Sequence, residues 1–136
     1  MKFLRKQTII AVHDELIAEH GGLEGIRDEN ALESALMAPM NLFHYTQGKC
    51  HLADLAAKYA YALTKNHPFN DGNKRIALFS CLYFLKINGN SRSFPKDSLF
   101  LLMLEISSGR IAEVQFAEWI LKNLSDNRLG KSSNIE

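Results

Sequence analysis

Cysteine, proline, net charge and long apolar runs are all scarce in this chain. Its two cysteines, Cys50 and Cys81, lie far apart and form no CxxC pair. Cys81 falls in an apolar stretch, where a thiol behaves as a small core side chain. The formal net charge is +1 at pH 7, so no overall field recommends DNA or an anionic membrane, and any anion binding must come from local placement. The longest apolar run, residues 76–85, is interrupted by Ser80 and falls well short of the ~20 residues a spanning helix needs. The apolar part of the opening "MKFLRKQTII" is too short for a signal peptide. A reducing cytoplasm is the expected setting, with no membrane partner. No segment alternates over strand length, and there is no internal repeat, low-complexity tract or interdomain linker.

What is present is helical period. The 136 residues, 46% hydrophobic and 23% charged, fit one domain that buries its own core. Residues 7–20 place Ile9, Val12, Leu16 and Ile17 on one stripe, and Gly21-Gly22 stops it. A second helix starts at Asp28 or Asn30; Asn30 and Glu33 have capping-box spacing, and Pro39 marks its end. Residues 51–66 carry Leu52, Leu55, Tyr59 and Leu63 at helical spacing, with alanines that let neighbours approach closely. Residues 71–88 are apolar nearly all round, which places that helix at the centre of a bundle. Residues 95–108, with Pro95 in the first turn, and residues 113–124 complete the set. Residues 40–49 are the one doubtful stretch and read as a short extended flap. The fold expected is an all-α compact bundle of about six helices, with a short flap before the third. The domain spans 1–124, and the polar tail 125–136 is expected to be disordered.

One decapeptide, "NHPFNDGNKR" at 66–75, sets polar chemistry between two apolar helices. Pro68 cannot donate a backbone hydrogen bond and pushes His67 away from helical angles, so the chain breaks there. The following helix opens near Asp71 or Gly72. A helix N-terminus offers unpaired N–H groups and partial positive charge, which suit an anion. Gly72 removes bulk where a phosphate would approach, Asn73 adds an amide donor, and Lys74 and Arg75 add cations. Cations in a first turn oppose the helix dipole by roughly 0.3–1 kcal/mol each, and a bound polyanion reverses that sign. Asp71 suits Mg²⁺, which takes one or two carboxylates plus phosphate oxygens and water. His67 suits a general base. Phe69 anchors the loop in the core. Each residue also has a bland reading: Asp71 as an N-cap, Gly72 as a turn residue, His67 as a satisfied loop histidine. Their coincidence within nine residues favours an anion-handling site.

The segment "HPFNDGNKR" resembles the signature of the Fic/Doc family, HPFx(D/E)GN(G/K)R, at every defined position. "GGLEGIRDENALESAL" (21–36) and "NKRIALFSCLYFLKING" (73–89) are similar to blocks of that family's death-on-curing (Doc) branch. The resemblance implies transfer of part of a nucleotide to a protein hydroxyl, with ATP and Mg²⁺. It implies His67 as the base, Asp71 at the metal position, and Gly72, Asn73, Lys74 and Arg75 as the phosphate-binding helix start. It also implies that residues 39–48 form a flap aligning the target. Two positions depart from the adenylylating branch: Lys74 stands where a glycine is usual, and Leu78 where a second arginine is usual. Both match the Doc branch, which resembles a kinase with reversed nucleotide orientation. The function implied is that of a toxin moving the γ-phosphate of ATP to a translation factor, elongation factor Tu, and so arresting translation. The alternatives are AMP transfer and a non-catalytic nucleotide-binding module. The family's inhibitory helix, a serine or threonine followed after three residues by glutamate, has no match; Ser108 and Glu113 are one residue too far apart. A separate antitoxin is therefore expected, with a disordered tail that folds on binding.

Other residues carry weaker signals. His44 and His51 lack an acid or cysteine pattern joining them, so zinc is not expected there. His13 and His20 read as packing residues on one helix face, and Trp119 as core. Arg27 pairs with Asp28 or Glu29, or else braces the loop at 67–71. Two cations without an extended basic face do not suggest direct nucleic-acid binding.

Overall fold

The structure, a computed structural model, describes residues 1–90, 94 and 96–135, without the side chains of 96 and 125–135. Six helices follow in order: α1 Lys6–His20, α2 Glu29–Tyr45, α3 Leu52–Asn66, α4 Asn73–Ile87, α5 Lys96–Ser108 and α6 Glu113–Ile135. No strand is present among the described residues; one isolated bridge pairs Ile26 with Phe69. The all-α reading of the sequence therefore holds.

The hub of the bundle is α3. It packs against α2, α4, α5 and α6, and it buries Ala53, Leu55, Ala56, Ala57, Tyr59, Ala60 and Leu63. Its alanines explain the crowding, because a methyl side chain lets neighbouring backbones close in. The apolar helix α4, which the sequence places at the centre, shares the interior with α3: it packs on α1, α3 and α5 and buries Asn73, Ile76, Ala77, Ser80, Cys81, Phe84 and Leu85, while Leu78, Phe79, Leu82 and Tyr83 along it are partly buried.

The structure chooses between two candidate starts for α2 and moves two helix ends. Asp28, not Asn30, caps α2, its carboxylate accepting from the Ala31 N–H at 3.1 Å. Pro39 does not end that helix but lies buried inside it. A proline forfeits only its own N–H bond and crowds one carbonyl, and packing on α3 carries the helix across that defect. The expected flap at 39–48 is thus helix as far as Tyr45 and a turn at Thr46–Gly48. Finally, α6 continues beyond Leu124 to Ile135; this stretch has no proline to stop a helix. Its side chains beyond Leu124, Pro95 with its expected helix-start role, and Glu136 all lie outside the described residues.

The chain start is pinned to the hub. The Leu4 N–H donates to the Tyr59 hydroxyl at 2.9 Å, and burial pushes that phenol up to about 12. Cys81 is fully buried, and desolvation raises its thiol from 9.0 to about 12. The folded state holds the neutral thiol, whereas the unfolded chain ionises at the ordinary value. The effect is absent below pH 9, and stability then falls by about 1.4 kcal/mol per pH unit as pH rises towards the folded value. Urea titrations at about pH 8 and about pH 10.5 should show a steeper loss for the wild type than for Cys81→Ala, whose baseline is lower but flatter.

Candidate active site

The loop between α3 and α4 is held from both sides. His67 closes α3 in the left-handed region, φ 50° and ψ 54°. A non-glycine residue there costs about 1–3 kcal/mol and persists only where its surroundings over-determine it. The surroundings do so here. The Arg27 guanidinium donates from Nε to the His67 carbonyl at 2.7 Å and from its terminal nitrogen to the Asn66 carbonyl at 3.0 Å. The Pro68 carbonyl accepts from the backbone N–H groups of Arg27 and Asp28, at 2.7 and 3.1 Å, and the Asn70 N–H donates to the Gly25 carbonyl at 3.0 Å. Arg27 therefore braces the loop, which settles the two readings of that residue.

Asn73 does related work from the other end. Its side chain is buried. Oδ1 accepts from the Phe69 N–H at 3.0 Å, and Nδ2 donates to the Phe69 carbonyl at 2.9 Å. The sequence suggested this amide as a ligand donor. The structure commits it to the loop, so residue 73 offers the cleft its backbone N–H instead. Phe69, 1% exposed, is the core anchor the sequence suggested.

Gly72 has a further reason beside the room for a phosphate read in the sequence, one that agrees with its reading as a turn residue. Its φ is +74°, and an added Cβ would lie 3.2 Å from Ile17 Cδ1 and 3.5 Å from His13 Nε2. Packing against α1 and a left-handed backbone demand the glycine. Gly22, read only as a helix stop, is also a site residue. At φ +115°, a Cβ there would come within 2.9 Å of Asp71 Oδ2. The neighbouring Leu23 N–H donates to the same oxygen at 3.1 Å.

All six residues named from the sequence come together in one cleft of about 380 Å³, lined by His67, Asp71, Gly72, Asn73, Lys74 and Arg75 along with Thr64, Phe100, Leu104 and Ser107. The first bond inside α4 runs from the Ile76 N–H to the Gly72 carbonyl. The N–H groups of Asn73, Lys74 and Arg75 precede it, with no partner among the described residues. Lys74 and Arg75 are exposed, and neither forms an ion pair among the described residues. The His67 side chain is exposed. Phe100 and Leu104, 46% and 38% exposed, give the cleft an apolar wall. A helix N-terminus, two free cations, one carboxylate and one accessible imidazole share the opening, an arrangement suited to binding a polyanion beside a proton acceptor.

A family model described as the Fic/DOC family matches residues 3–85, and the chain belongs to that family. It is 32% identical over 118 residues to the protein kinase doc of Escherichia phage P1, an alignment covering 87% of this chain and 92% of that protein. It is 36% identical over 90 residues to the toxin Doc of Mycolicibacterium smegmatis, covering 65% of this chain and 69% of that one.

Proposed function

We propose that this protein is a Doc-like toxin that transfers the γ-phosphate of ATP to a hydroxyl side chain of a translation factor, elongation factor Tu. The observation that carries the reading is the start of α4. Three N–H groups and two cations there, none with a partner among the described residues, face the same cleft as the exposed imidazole of His67. The polyphosphate lies against that helix end. The target hydroxyl enters beside His67, which takes its proton as the oxygen bonds to the γ-phosphorus. The bond from that phosphorus to the bridging oxygen breaks, and its electron pair leaves with ADP. Positioning and charge neutralisation supply most of the acceleration.

Mg²⁺ fits the donor set. Among the described residues no three His, Cys, Asp or Glu side chains gather as a closed metal site, and the cleft offers the single carboxylate of Asp71. That suits an ion which completes its shell with phosphate oxygens and water. Asp71 would hold it, and the bound ion would neutralise phosphate charge.

Lys74 and Leu78 favour phosphate over AMP transfer. Lys74 fills space that a glycine leaves open and adds a charge for a terminal phosphate. Leu78 is partly buried against the core, so the second cation of the adenylylating pattern is missing from that position. The name of one relative, protein kinase doc, supports the same choice, and that of the other, toxin Doc, supports the toxin role. A toxin without the internal inhibitory pattern needs an antitoxin in trans, and a cytoplasmic setting follows from the target. Among the described residues no helix is long and apolar enough to cross a membrane.

Incubation of the protein with elongation factor Tu, Mg²⁺ and ATP labelled at either the α- or the γ-phosphorus tests the proposal. Label from γ alone is expected. Label from α makes the protein an AMP transferase, and no label with intact nucleotide affinity makes it a binding module.

A further inference from the structure

Among the described residues, His13 is the one buried titratable residue beside the cleft to which the proposed chemistry gives no role. It lies on α1, is 1% exposed, and stacks its ring on Phe69 with centroids 3.7 Å apart and planes 11° from parallel. Its Nε2 is 2.7 Å from the Asp71 carbonyl. A carbonyl oxygen only accepts, so Nε2 carries a hydrogen and donates it to Asp71. Nδ1 is buried with no hydrogen-bond partner among the described residues. A leucine or phenylalanine would fill the space without stranding a polar atom. The stranded nitrogen makes sense only if the opposite nitrogen has a task.

We propose that His13 is a positioning residue that sets the height of the Asp71 backbone. It thereby aims the Asp71 carboxylate and the first N–H groups of α4 into the cleft. This rests on the reading of that cleft as the phosphate site. His13 holds residue 71 by its carbonyl, while Leu23 holds the same residue by its carboxylate. One turn further along α1, Ile17 packs against the Gly72 backbone. The first helix is a splint for the loop, and its hold is set by one hydrogen bond, one ring stack and one close contact.

Two variants of the full chain test this. His13→Leu keeps an apolar side chain of similar bulk and removes the donor. His13→Gln puts an amide N–H where Nε2 was. In hydrogen exchange, His13→Leu should speed the amides of Leu23 and Gly72 by at least about tenfold while those of α3 keep their rates. His13→Gln should restore them. In phosphate transfer, His13→Leu should raise the Mg²⁺ concentration for half-maximal rate by about 10–100-fold, as loss of an outer-shell partner does. His13→Gln should bring it most of the way back. Unchanged exchange at Leu23 and Gly72, or equal acceleration throughout α3, overturns the proposal. A wild-type protein that labels nothing sinks the functional reading alone, and exchange at Leu23 still decides the role of His13.

Discussion

His67→Ala is expected to lower phosphate transfer by about 10²–10⁴-fold, the range a positioned general base supplies, while the helices stay folded. The side chain is exposed and makes no hydrogen bond to the protein among the described residues. What the fold takes from residue 67 is its backbone, held by Arg27 through the carbonyl. Alanine keeps that carbonyl but is less content in the left-handed region. His67→Asn is the better control, since asparagine tolerates that conformation and accepts no proton near neutral pH. Single-turnover incorporation of γ-label, read beside a thermal melt by circular dichroism, separates chemistry from folding. Transfer within about fivefold of wild type in both variants would remove His67 from the proton-acceptor role.

The second large effect concerns stability. Asn73→Leu should cost about 2–6 kcal/mol, because the N–H and the carbonyl of Phe69 are both left buried and unpaired, at about 1–3 kcal/mol each. Asn73→Asp keeps the acceptor for the Phe69 N–H but faces the Phe69 carbonyl with an oxygen, so it should restore no more than one of the two bonds. Urea midpoints of the three proteins measure the difference. Transfer should fall with stability in both variants, since the loop carrying His67 and Asp71 is built on those two bonds. An Asn73→Leu protein as stable as wild type would mean that the Phe69 backbone finds other partners.

The six helices were legible because each buries an apolar face whose period survives in the residues. The boundaries were less so. A proline such as Pro39 announces a lost bond but not whether packing outweighs it, and the polar stretch that extends α6 carries no apolar period. The cleft was legible because His67, Asp71, Gly72, Asn73, Lys74 and Arg75 fall within nine consecutive positions of the chain. Their roles were only partly so. Asn73 reads as a donor to a ligand until its contact with Phe69 is seen. His13 and Arg27 reach the loop from 58 and 40 residues away, and they grip carbonyls, which every residue possesses. No local pattern records such a grip. The nearest signal was Gly21-Gly22, which served as a helix stop when its second glycine also makes room for Asp71.

The long span of those ties has a kinetic side. Joining points so far apart in the chain is entropically slow and comes late relative to helix formation. A polypeptide still emerging from the ribosome would hold its helices before it held a working cleft.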